Sequence, residues 1–104
     1  MKEITALEFK ELQESKTDFQ LIDVREEFEL EISEMGGEHI AMNDVMDNLD
    51  KISKTKQVII HCKSGVRSGV ICNVLETKGY TNVYNLKGGI LAWVNDVDPT
   101  LTRY

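Results

Sequence analysis

Proline and cysteine are scarce, with one proline and two cysteines in 104 residues. A small secreted domain held by disulfides needs a dense, even set of cysteines, and Cys62 and Cys72 form neither that framework nor a Cys-x-x-Cys zinc pair. Reduced thiols and a cytoplasmic location are the resulting expectations. The two histidines, His39 and His61, could join the cysteines as four zinc ligands. Residues 61 and 62 would project to opposite faces of a strand, however, so neither a metal nor another cofactor is expected. Apolar runs are short: none approaches the ~20 residues that cross a bilayer, and no basic start leads into an apolar segment. Positive charge is also in deficit, with 12 Lys and Arg against 18 Asp and Glu, a net charge of −6 and a pI near 4.8. Nucleic acids and anionic membranes are therefore poor partners, since both would be repelled before specific contacts formed. A local positive site remains compatible with this balance.

With 41% hydrophobic and 29% charged residues, the chain has the composition of an ordered globular protein. We expect one domain over residues 1–104, with no room for a separate cofactor-binding unit. Thr5-Ala6-Leu7-Glu8 has the capping-box pattern that opens a helix, here running to about residue 14. Phe19 to Val24 reads as a buried strand. Arg25 to Ile32 alternates charge and hydrophobe, and its Glu-rich composition favours a short helix. After Gly36-Gly37, His39-Ile40-Ala41-Met42 reads as a strand, and Asn43 as the cap of a helix over 44–49. Gln57 to His61 is the clearest strand. A helix from about Arg67 to Lys78 follows, then a strand over 83–86 and a helix around Leu91-Ala92-Trp93. Alternating strands and helices imply an α/β fold, with a mainly parallel sheet covered by helices on both faces. Ligand sites in such sheets lie beyond the carboxyl ends of the strands. Pro99 marks a loose tail.

The chemistry points to Ile60-His61-Cys62-Lys63-Ser64-Gly65-Val66-Arg67-Ser68. A cysteine at the end of a central strand, a few residues before a helix, sits where loop amides and the helix dipole favour negative charge. The Cys62 pKa is expected to fall toward or below neutrality. Lys63 and Arg67 add formal positive charge, Gly65 allows unusual backbone angles, and Ser64 and Ser68 bring hydroxyl donors. A buried cysteine before a Ser-Gly turn is, in isolation, most simply a core residue. The two cations and the glycine shift the reading toward function.

Three segments carry a family resemblance. Leu21-Ile22-Asp23-Val24-Arg25-Glu26 resembles the D-V-R-E strand end of the rhodaneses. Cys62 to Ser68 resembles their C-x-x-G-x-R-S loop, and Asn85 to Trp93 resembles their L-x-G-G-x-x-x-W segment. The resemblance spans nearly the whole chain. It implies a three-layer α/β/α domain with a mainly parallel sheet of about five strands. It also implies a sulfurtransferase that carries sulfane sulfur as a Cys62 persulfide, with Lys63, Ser64, Gly65, Val66, Arg67 and Ser68 binding the substrate. The implied partners are a small anionic sulfur donor, thiosulfate or a persulfide, and an acceptor that is cyanide, a thiol or a sulfur-accepting protein. Dual-specificity phosphatases resemble this fold but place one residue more between cysteine and arginine than the four present here. A shorter loop suits one sulfur atom better than a phosphoryl group, leaving phosphatase or arsenate reductase chemistry as a lesser alternative. A non-catalytic binding or regulatory module of the same family is the other. The chain departs from the family at Met35-Gly36-Gly37-Glu38, where an I-P-G-A turn is common, and at Glu27, where proline is frequent. The Gly-Gly form resembles the rhodanese-like appendages of sulfur-activating adenylyltransferases.

Other residues have plainer readings. Cys72 lies on the flank of its helix stripe and is expected to pack. Asp23 and Arg25 should pair and brace loops, and His61 should be a satisfied core histidine facing away from Cys62. Trp93 and Tyr84 are packing groups, and Lys87 extends a positive rim. Glu26, Glu27, Glu29, Glu31 and Glu34, like Asp44, Asp47 and Asp50, read as solvated faces.

Overall fold

Three short hydrophobic runs define the middle of the sheet, because each is long enough for one buried strand and is bounded by turns. In the computed structural model, which describes residues 1–104, these are β2 (Phe19–Asp23), β4 (Gln57–His61) and β5 (Val83–Leu86). The two edges are β1 (Glu3–Ile4) and β3 (Glu38–His39), giving the order β1-β5-β4-β2-β3 with every neighbouring pair parallel. Parallel neighbours require crossovers. These are supplied by α1 (Ala6–Glu14), α2 (Glu27–Ile32), a 3-10 segment (Met42–Lys51) and α3 (Val66–Thr77), and α4 (Gly89–Asp96) follows β5. No helix is long and apolar enough to cross a membrane.

The two-residue period of the strands sorts side chains between two cores. Ile22, Val58, Ile60 and Cys62 join Ile71, Cys72 and Leu75 of α3 on one face. Leu21 and Ile59 join Phe9 of α1 and Trp93 of α4 on the other, with the Phe9 ring 5.4 Å from Trp93. Cys62 thus continues the α3-facing row of β4 past the end of the strand. The capping box of α1 forms as expected: Glu8 N–H donates to Thr5 Oγ1 at 3.1 Å and Thr5 N–H to Glu8 Oε1 at 2.9 Å.

Three local expectations are corrected. The third strand is Glu38–His39 rather than 39–42, because the chain turns into 3-10 geometry at Met42. That segment is capped by Ala41 rather than Asn43, and it is not one regular helix. Asn48 breaks it at φ −129°, ψ 28°, with its side-chain amide donating to the Asp44 carbonyl at 2.7 Å. The tail is not loose either, since the Tyr104 hydroxyl accepts from Arg25 Nη1 at 2.8 Å and donates to Glu29 Oε2 at 2.6 Å.

Candidate active site

At the carboxyl end of β4 the chain must leave the sheet and enter α3 within four residues, and Gly65 makes this possible. It caps α3 at φ 100°, ψ −4°, a left-handed conformation that a side chain would strain. The outer side of the loop is fixed by α4: Ile90 N–H donates to the Cys62 carbonyl at 2.9 Å and Leu91 N–H to the Lys63 carbonyl at 3.2 Å. Gly89 allows this approach. A Cβ there would lie 2.6 Å from the Cys62 carbonyl oxygen and closer still to the Lys63 carbonyl, at a residue whose φ is +61°. With these carbonyls held by α4, loop amides are left to converge on the sulfur.

Cys62 Sγ accepts from Gly65 N–H at 3.1 Å, Ser68 N–H at 3.4 Å and the Ser68 hydroxyl at 3.3 Å. Burial alone would raise the thiol pKa. The Ser68 hydroxyl and the N–H groups of Ser68, Gly65 and Ser64 outweigh burial, and the net shift is below the ordinary thiol range. Cys72 lacks such donors, and burial pushes it up to about 12. Ten residues apart on one core face, the two cysteines thus have opposite acidities. No group of three or more His, Cys, Asp and Glu side chains comes together as a metal site would need.

Of the expected loop residues, the structure brings Gly65 and Ser68 to the sulfur by direct hydrogen bonds. Arg67 turns instead to α2, where its two terminal nitrogens hold the Glu29 carboxylate at 2.6 and 3.0 Å. The fork, with help from the Tyr104 hydroxyl and the Glu26 N–H, holds Glu29 at about 2 against the raising effect of burial. Lys63 sits with its ammonium 4.4 Å from the centroid of the Tyr104 ring. Ser64 and Val66 face solvent, Val66 with 71% of its surface exposed. Glu29 is therefore not part of a solvated face, whereas Glu26, Glu27, Glu31 and Glu34 are exposed.

Behind the loop, Asp23 and Arg25 brace the neighbouring segments. Arg25 is fully buried, with Nε and Nη2 on Asp23 at 3.0 and 2.8 Å and Nη2 also on the Ser33 carbonyl at 2.8 Å. His61 turns toward Asp23, with Nε2 3.6 Å from Oδ2, and its ring makes no hydrogen bond to Cys62 Sγ. It is less satisfied than expected, as Nε2 has no hydrogen-bond partner, and burial lowers its pKa so that the ring is neutral. Sequence reasoning missed three residues: Glu29, Tyr104 and Asn85. Asn85 is 3% exposed and joins the Gly65 carbonyl to the Ser68 hydroxyl. Its signal was a polar amide in a buried strand position just before Gly88-Gly89.

A parallel α/β domain whose central strand delivers a cysteine into a ring of hydrogen-bond donors defines a class of cysteine sites built to stabilise a thiolate. The sequence profile of the rhodanese-like domain matches residues 5–96, and the chain belongs to that family. It is 34% identical over 100 residues to YtwF of Bacillus subtilis, a protein with a sulfurtransferase name, covering 95% of this chain and 96% of that one. It is 28% identical over 104 residues to MoeZ of Mycobacterium tuberculosis, named adenylyltransferase/sulfurtransferase, and spans 26% of that longer protein. The crystal structure of a rhodanese-like domain protein from Staphylococcus aureus superposes with a TM-score of 0.85 at 31% identity, over 100% of this chain and 99% of that one. Family and relatives support a sulfur-transfer role in general.

Proposed function

We propose that residues 1–104 act as a single rhodanese-like sulfurtransferase domain in which Cys62 carries sulfane sulfur as a persulfide. The observation that carries this reading is the set of donors on Cys62 Sγ, with no carboxylate or imidazole hydrogen-bonded to the sulfur. Such a site stabilises the thiolate directly, so the nucleophile needs no partner base. The thiolate attacks the outer sulfur of the donor, the donor's sulfur–sulfur bond breaks, and sulfite or a thiolate departs with the electron pair. The new terminal sulfur carries the negative charge and takes over donors of the loop from Gly65 to Ser68. An acceptor thiolate or cyanide then attacks that sulfur, and Cys62 leaves as thiolate.

Charge around the mouth bears on the donor. Lys63 supplies a cation, but the Arg67 fork is filled by Glu29. A dianion such as thiosulfate would meet that carboxylate, whereas a singly charged persulfide would meet less repulsion. Persulfides of thiols are therefore the preferred donors and a thiol, free or on a protein, the acceptor, within the cytoplasm where both cysteines stay free. Initial rates of sulfur transfer to cyanide, read as thiocyanate, test this with glutathione persulfide and thiosulfate side by side. Faster transfer from the persulfide, falling to the protein-free rate in Cys62→Ser, is the expected result. Transfer that stays above the protein-free rate in Cys62→Ser contradicts the reading.

A further inference from the structure

Beneath the sulfur cradle lies a buried amide that the cycle above does not use. Asn85 is held in β5 opposite Ile60 of β4 and Glu3 of β1, and its side chain lies against Gly69, where an added Cβ would come within 3.3 Å of Nδ2. Nδ2 donates to the Gly65 carbonyl at 3.0 Å. A carbonyl only accepts, so this bond fixes the amide orientation and turns Oδ1 toward Ser68. Ser68 Oγ is 2.5 Å from Asn85 Oδ1 and 3.3 Å from Cys62 Sγ, and Ser68 is fully buried. One hydroxyl carries one hydrogen, and here two acceptors face it.

The charge on sulfur decides which acceptor holds that hydrogen. A neutral thiol is a weak acceptor with a hydrogen of its own, so the amide oxygen wins at 2.5 Å. A thiolate, or the terminal sulfur of a persulfide, forms a charge-assisted bond about twice as strong as a neutral one. The hydrogen then turns to sulfur and Asn85 Oδ1 is left buried without a donor, which opposes the change. We propose that Asn85 is a positioning residue that shares the single Ser68 hydrogen with Cys62, holding it off the neutral thiol and yielding it to the charged sulfur. This deepens the reading of Cys62 as nucleophile and rests on it. Ionisation sends the thiol proton to solvent, while the Ser68 hydroxyl only rotates. Asn85 thereby restrains the acidity of Cys62, and a less stabilised thiolate attacks a donor sulfur more readily.

The test is the Cys62 pKa, measured from the pH dependence of alkylation. Around the sulfur the charged and titratable groups are Lys63 of the loop, His61 of β4, Arg67 and Cys72 of α3, Glu29 of α2 and Tyr104 through Arg67, and, beyond Cys72, the Met1 amino group with Glu76. None of these groups is hydrogen-bonded to the Asn85 side-chain amide. Asn85→Leu, which removes the competing oxygen, should lower the Cys62 pKa by about one unit, a tenfold change in the ionisation constant. Ser68→Ala should raise it, and in the Ser68→Ala background Asn85→Leu should no longer lower it, since the competition needs that hydrogen. A raised or unchanged pKa in Asn85→Leu, or the same lowering without Ser68, overturns the proposal. The wild-type protein gives a second reading free of any folding defect. The Asn85 side-chain amide resonances should shift with the Cys62 titration, and should lose that shift in Ser68→Ala. Resonances that stay fixed, or that shift equally in both proteins, overturn it as well. None of these readings involves sulfur transfer, so a failure of the transfer cycle and a failure of the Asn85 role are separable.

Discussion

The contrast between Cys62 and Cys72 shows how little of a cysteine's chemistry resides in the residue itself. Both are buried on one face of one sheet, yet loop donors lower the first pKa while burial pushes the second up to about 12. At neutral pH, iodoacetamide should therefore label Cys62 and leave Cys72 unmodified, as read by peptide mass; labelling of Cys72 in the folded protein would contradict the assignment. Tyr104 offers a second case. Its hydroxyl bridges Arg25 and Glu29, so Tyr104→Phe should cost on the order of 1 kcal/mol in urea unfolding without touching the core. An unchanged midpoint would mean that the tail contributes no stability. The cysteine was legible because its loop pattern is local in sequence. Tyr104 was not, because its partners are brought near only by the fold, and nothing in a polar tail distinguishes an anchored aromatic from a free one.

Elements rather than side chains shape the cradle. The start of α4 holds two loop carbonyls, and this works only because residue 89 has no side chain. Gly89→Ala should lose on the order of 1–3 kcal/mol and disturb Cys62 labelling. Gly79→Ala, at a residue of similar positive φ (+93°) with nothing within 4 Å of an added Cβ, should carry only the conformational part of that loss. Equal effects in denaturant titrations of the two variants would show that the close approach of α4 is unimportant. Strands β2, β4 and β5 were readable from hydrophobic runs, and α1 from its capping box. At the edges the signal failed: β1 and β3 pair over two residues each, too short for any periodicity. The 3-10 segment was read as a regular helix because Asn43 is a good helix cap, and a cap residue alone does not distinguish 3.0 from 3.6 residues per turn. Arg67 was placed correctly in the chain but not in space. Its fork was expected at the sulfur, and the carboxylate that draws it away lies among five glutamates that look alike in sequence.

At the scale of the whole molecule, parallel strands converge their carboxyl ends on one edge, where Asp23, His61, the Cys62 loop and the β5–α4 turn meet. The Glu29–Arg67 pair ties α2 to α3 across that edge and links stability to pH. The Glu29 pKa lies at about 2 in the folded protein, below its ordinary value of 4.5. A depressed carboxylate stabilises the fold above its unfolded pKa, and that contribution disappears as pH falls through the folded value. Urea midpoints should therefore drop between pH 4.5 and 2, and Glu29→Gln should flatten this dependence; identical profiles for the two proteins would remove Glu29 from the account. The central claim, that Cys62 carries sulfur, is tested most directly by the intact mass of the reduced protein after exposure to glutathione persulfide and again after cyanide. The expected result is a gain of one sulfur atom that is absent in Cys62→Ser and is lost on adding cyanide. An unchanged mass, or a gain that persists without Cys62, would contradict it.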